Sequence, residues 1–116
     1  MATASEHEAQ AGHNRKFLET IDTQKFPDWY ATVAFYRAVH LVEKLFKVKG
    51  GKGGKHFTRN TTLKTKYLSV WRDYKTLYSF SRLARYRCMK VKKEDAEYLK
   101  QRLKRVERTI NKLVRT

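Results

Sequence analysis

Apolar positions along the chain recur at intervals of three and four, and strict alternation of apolar and polar residues persists nowhere. The first interval puts side chains on one face of an α-helix; a strand would need a period of two. Ala9, His13, Phe17 and either Leu18 or Ile21 follow it, which predicts a first helix from about Glu6 to Ile21. Polar turn residues end it at Asp22–Thr23. The segment Asp28–Lys47 is apolar almost all round, with Trp29, Val33, Phe35, Tyr36, Val39, Leu41, Val42, Leu45 and Phe46. A helix of that kind has neighbours on several sides and belongs at the centre of the fold. Pro27 suits its first turn, where a missing N–H costs nothing, and Asp28 suits the positive end of its dipole. Asn60 or Thr61 is the expected cap of a third helix, whose apolar face carries Leu63, Tyr67 and Val70 or Trp71. A longer helical stretch follows through Tyr74, Leu77, Ser81, Ala84 and Cys88, and the spacing leaves open whether a break falls near Ser69. The final stripe is the most regular: Ala96, Leu99, Leu103, Val106, Ile110 and Leu113 are separated alternately by three and four residues. This heptad-like seam is expected to pack on the same bundle, with a dimer seam as the alternative. Together these segments predict an all-α fold, an antiparallel up-and-down bundle of four to five helices in a single domain over 1–116.

The breakers agree with that reading. Pro27 is the one proline, and four of the five glycines crowd into Gly50–Gly54. Residues 47–56 therefore read as a flexible basic Gly/Lys loop. It is not a P-loop: the glycine-to-lysine spacing is wrong, no Ser or Thr follows Lys55, and no strand precedes it.

Composition narrows the function classes. A chain of 116 residues with 41% apolar content fits one domain with a real core rather than a disordered segment. No apolar run approaches the ~20 residues of a membrane span; the stretch from Trp29 to Phe46 is broken by Arg37, His40, Glu43 and Lys44. The polar first ten residues do not resemble a secretory signal. Cys88 stands alone, so it reads as a core or boundary residue of a chain in a reducing compartment, expected to be cytoplasmic. Charge changes the picture most. The formal net charge is +16, but residues 1–46 carry a net −1 and residues 47–116 a net +17. A field of that size and asymmetry attracts polyanions or an acidic protein.

Several segments, taken in order, resemble the HEPN superfamily over about residues 7–114. They are Ala11-Gly12-His13-Asn14 with Phe17-Leu18, then Pro27-Asp28-Trp29, then Ala34-Phe35-Tyr36 with Ala38-Val39-His40-Leu41-Val42-Glu43. After a glycine-containing loop come His56-Phe57-Thr58-Arg59-Asn60, Tyr74-Lys75-Thr76-Leu77-Tyr78 and Ser81-Arg82-Leu83-Ala84-Arg85-Tyr86. The resemblance implies an up-and-down helical bundle, frequent dimerisation and RNA-related roles, often beside a nucleotidyltransferase in a toxin–antitoxin pair. HEPN ribonucleases carry an Arg and a His with four to six residues between them, so that the Arg stands five to seven positions before the His. None of His7, His13, His40 and His56 has an arginine at that spacing, so the expectation is a module without the usual ribonuclease motif.

Three groups are candidates for chemistry. Arg37 and His40 share a face of the central helix, as a base and a phosphate-steadying cation or as core residues held by hydrogen bonds. His56, Arg59 and Asn60 sit where the loop meets the third helix, as an anion site or a cap. Arg82, Arg85 and Tyr86, with Ser81 alongside and Tyr78 a turn earlier, offer phosphate contacts and base stacking, or ion pairs to Asp28, Glu43 or Asp73. Lys52 and Lys55 of the loop, and Lys104, Arg105, Arg108 and Lys112 of the last helix, add backbone-tracking charge. Arg37, His40 and His56 are thus the catalytic candidates; Lys52, Lys55, Arg59, Arg82, Arg85, Tyr86, Lys104, Arg105, Arg108 and Lys112 are the nucleic-acid candidates. No metal site or cofactor is expected, since no HExxH or Cys cluster occurs. The favoured expectation is a nucleic-acid-binding module preferring RNA to DNA. The alternatives are a homodimer or partner of an acidic protein such as a nucleotidyltransferase-type antitoxin, and an atypical metal-independent endoribonuclease.

Overall fold

A computed structural model describes residues 2–86 and 90–116, with Tyr86 described through its backbone alone. Cys88, assigned from sequence to the core or its boundary, lies outside the described residues. Every regular element among those residues is a helix: α1 (Ala4–Leu18), α2 (Pro27–Lys49), α3 (His56–Lys66), α4 (Leu68–Tyr86) and α5 (Lys93–Arg115).

Helix α1 begins where side chains satisfy its first N–H groups. Thr3 Oγ1 accepts from the Glu6 N–H at 3.1 Å while Glu6 Oε1 accepts from the Thr3 N–H at 2.8 Å. This reciprocal pair starts α1 two residues earlier than predicted, and α1 also stops earlier, at Leu18. Pro27 opens α2 as expected, and Gly50, with φ near +106°, closes it. The predicted cap of α3 is wrong. The helix starts four residues before Asn60, after Lys55, so Asn60 and Thr61 lie inside it. There Thr61, Thr62 and Thr65 turn their hydroxyls back onto carbonyls of the preceding turn. The break between α3 and α4 falls at Tyr67.

Side-chain pairings give the topology. His7–His40 and Ala11–Arg37 run in opposite senses along α1 and α2. Asp73–Arg102 and Phe80–Tyr98 do the same for α4 and α5. Phe46–Tyr67 and Tyr36–Arg85 run α4 against α2. The four long helices therefore alternate in direction, and short α3 lies within the α2–α4 connection. Phe35–His56 and Phe46–Tyr67 follow one sense, so the glycine loop carries the chain back along α2 before α3 begins.

Helix α2 is central, packing on α1, α4 and α5. Its Ala31, Ala34, Phe35, Ala38, Val42 and Leu45 are buried with Leu63, Val70, Tyr74 and Leu77. The predicted α5 stripe joins the same core: Ala96, Leu99, Leu103, Val106 and Ile110 are all buried, and Leu113 packs at its edge. No helix among the described residues is long and apolar enough to cross a membrane. Phe17, Ile21, Phe26 and Trp29 line a shallow apolar groove of about 440 Å³ where α1 turns into α2.

Candidate functional site

The loop predicted as a basic connector is built around a carboxylate. Glu43, buried on α2, accepts from the Arg59 Nε at 2.8 Å and from the Gly54 N–H at 2.9 Å. Gly53 lies so close to that carboxylate that a Cβ at this position would collide with it. Thr62 Oγ1 donates to the Lys52 carbonyl and the Tyr67 hydroxyl to the Gly50 carbonyl, both at 2.7 Å. Lys52 and Lys55 are left exposed around this clasp. Two charges have entered the core as a pair, the condition under which buried ions are tolerated.

Arg59 then orients His56. One guanidinium nitrogen lies 3.2 Å from the His56 Nδ1. The His56 ring, at the first turn of α3, packs against Phe35 at 5.8 Å and Tyr78 at 5.7 Å between centroids. Arg82 donates to the Tyr78 hydroxyl at 3.0 Å, and Arg85 to the Tyr36 hydroxyl at 2.6 Å and the Ser81 carbonyl at 3.3 Å. The Arg85 guanidinium lies over the Tyr36 ring at 5.2 Å and the Phe35 ring at 5.6 Å. The junction of α2, α3 and α4 thus gathers one imidazole, three guanidiniums and three aromatic rings. Tyr36 is 40% exposed, and Phe57, beside His56, is 83% exposed.

Partial burial, followed by the positive charges of Arg59, Arg85 and Arg82, holds the His56 pKa below the ordinary imidazole value. Both effects favour the neutral ring. Arg59 can only donate, so the neutral ring accepts at Nδ1 and carries its proton on Nε2. His56 therefore presents a donor rather than a free base.

The other catalytic candidates lie elsewhere. Arg37, on the far side of α2, is a buried structural residue: its Nε donates to Glu107 at 2.6 Å and another nitrogen to the Ala11 carbonyl at 2.7 Å, joining α1, α2 and α5. His40 meets His7 at 3.0 Å between Nδ1 atoms, one donating and one accepting. It borders a cleft of about 570 Å³ with His7, Lys52 and the glycine loop. Burial first, then His7 and Arg59, hold its pKa below the ordinary value. Two of the three Arg37 nitrogens are thus held by Glu107 and the Ala11 carbonyl, which favours the core-residue reading of Arg37 over the paired one with His40. Among the described residues, no three potential metal ligands of His, Cys, Asp or Glu cluster.

Seven of the ten nucleic-acid candidates fall on two faces; Lys52 and Lys55 are on the glycine loop, and the Tyr86 side chain lies outside what the structure describes. Arg59, Arg82 and Arg85 belong to the junction. Lys104, Arg105, Arg108 and Lys112 are exposed on α5, where the last three border a groove of about 490 Å³ with Asp73, Thr109 and Arg115. Asp73 accepts from Arg102 at 2.8 Å and lies 3.8 Å from Arg105; Glu43 takes Arg59. Tyr36 and Phe35 were not marked for the site from sequence, because nothing in an apolar helix announces which ring will meet an arginine 49 residues away. No protein-family model, no curated protein and no solved structure matches the chain.

Proposed function

We propose that this chain is a nucleic-acid-binding module that prefers RNA and engages it at the junction of α2, α3 and α4. The observation that carries this reading is the convergence of His56, Arg82 and Arg85 with Tyr36 and Tyr78, with buried Arg59 behind them, paired to Glu43 and orienting His56. Guanidiniums bind phosphate through charge-assisted hydrogen bonds, and their faces, with exposed tyrosine and phenylalanine rings, stack on unpaired bases. Unstacked bases are the usual target of sequence-selective RNA recognition, and a neutral imidazole donor suits a phosphate oxygen or a 2′-hydroxyl. The HEPN-like order of motifs supports RNA as the polyanion. The net +17 on residues 47–116 adds long-range attraction.

A second reading, a metal-independent endoribonuclease, draws on the same imidazole beside three cations. The proton on Nε2 leaves His56 a donor and not a general base, and no second group beside it among the described residues supplies the base, so binding is the first reading. One experiment separates the two. Labelled, partly structured RNA is titrated at low and moderate salt and run on native and denaturing gels. A salt-sensitive shift with intact RNA, weakened in the Arg82→Ala/Arg85→Ala variant, is the expected result. Fragments that vanish in His56→Ala would replace the binding module with the nuclease. Finding neither a shift nor fragments would overturn both.

A further inference from the structure

Building on the nucleic-acid reading, we infer that the molecule has a second, chemically different RNA surface in the α4–α5 groove, so that one copy holds two RNA segments on opposite sides of α4. Helix α4 lies between α3 and α5, each of which packs on it, while α3 and α5 do not meet among the described residues. Asp73 faces α5, where Arg102 and Arg105 reach it. Arg82 is nine residues further on, roughly 180° around the helix at 3.6 residues per turn. It faces away from that groove, beside Tyr78.

The two surfaces offer different chemistry. The junction has aromatic rings among its cations and can take unstacked bases. The groove is bordered by Arg105, Arg108, Lys112 and Arg115 with Thr109 and Asn111, and by one carboxylate, Asp73, which Arg102 and Arg105 offset; no aromatic residue lines it. Cations and short polar side chains without rings track a phosphate backbone and carry no base readout. The bundle measures about 25 × 24 Å across its long axis. A stiff duplex, with a persistence length of about 50 nm in the case of DNA, does not wrap so narrow a body to reach both faces. Two segments, one single-stranded on the junction and one held by its backbone on α5, satisfy both surfaces without that bending.

A capture assay tests this. A biotinylated, unstructured ten-nucleotide RNA is immobilised, saturated with the full-length protein, washed, and exposed to a fluorescent RNA hairpin. Retention of the hairpin by the wild-type protein is expected. It should fall at least about tenfold in Arg82→Ala/Arg85→Ala and in Arg108→Ala/Lys112→Ala, with each variant still binding one RNA in free solution at reduced affinity. Protein held by the first RNA without retaining the hairpin would overturn the second surface and leave the binding module standing. Failure of the first RNA to hold the protein would overturn both readings. Loss of hairpin in only one variant would place both strands on one face of a multimer and would also overturn the inference.

Discussion

Glu43 and Arg59 sit 16 residues apart, and the glycine loop brings them into one buried pair. Removing one partner leaves the other charge unsolvated, so Arg59→Ala should destabilise by about 3–5 kcal/mol in urea denaturation. Replacing both at once, Glu43→Met with Arg59→Leu, should recover most of that loss; a double variant as unstable as the single one would refute the account. Ser81 gives the opposite sign. Its Oγ is buried with no hydrogen-bond partner among the described residues, so Ser81→Ala should be neutral or stabilising by about 1 kcal/mol, read from the same titration. At this scale little was legible in advance. A glutamate and an arginine on the apolar face of the central helix announce buried partners but do not name them. Arg37 reads from sequence as a buried hydrogen-bonding residue ahead of a phosphate ligand, but Glu107 and the Ala11 carbonyl, which hold it, are named only by the structure.

Elements were more readable, for a physical reason: a helix exposes its periodicity locally, whereas a loop's path depends on what it packs against. The α5 stripe was legible residue by residue, because a regular three-and-four spacing has one geometric meaning. Leu99→Ala, at a fully buried position of that stripe, should cost about 2–5 kcal/mol, while Lys104→Ala on the exposed face should stay within about 0.5 kcal/mol. Equal losses in thermal or urea unfolding would contradict this packing. The start of α1 carries a signal in the sequence, since Thr3 and Glu6 form the Thr-x-x-Glu pattern of a capping box. The start of α3 carried none. Lys55 makes no capping bond, and the asparagine and threonines that resemble caps lie within the helix.

At the scale of the molecule, acidity should loosen the fold before any carboxylate titrates. His40 and His56 both have pKa values below the ordinary imidazole value. Near pH 6 the unfolded chain therefore binds more protons than the folded one, and stability falls as pH drops through the unfolded value of about 6.5. The melting temperature should decline between pH 7.5 and 5.5, and His40→Gln should flatten that decline; an equal slope in the variant would assign it to other groups. Composition revealed the charge asymmetry, but not its division between two faces, because that requires knowing which helix separates which side chains. The clasp around Glu43 has a consequence for protein engineering. A glycine- and lysine-rich stretch between two helices is where one would insert a reporter, an epitope or a new pair of chain ends. Here the stretch encloses a buried ion pair, and an insertion at Gly53 would expose it to water. The turn around Thr23–Lys25 tolerates such surgery better, since its hydrogen bonds are local to Asp22.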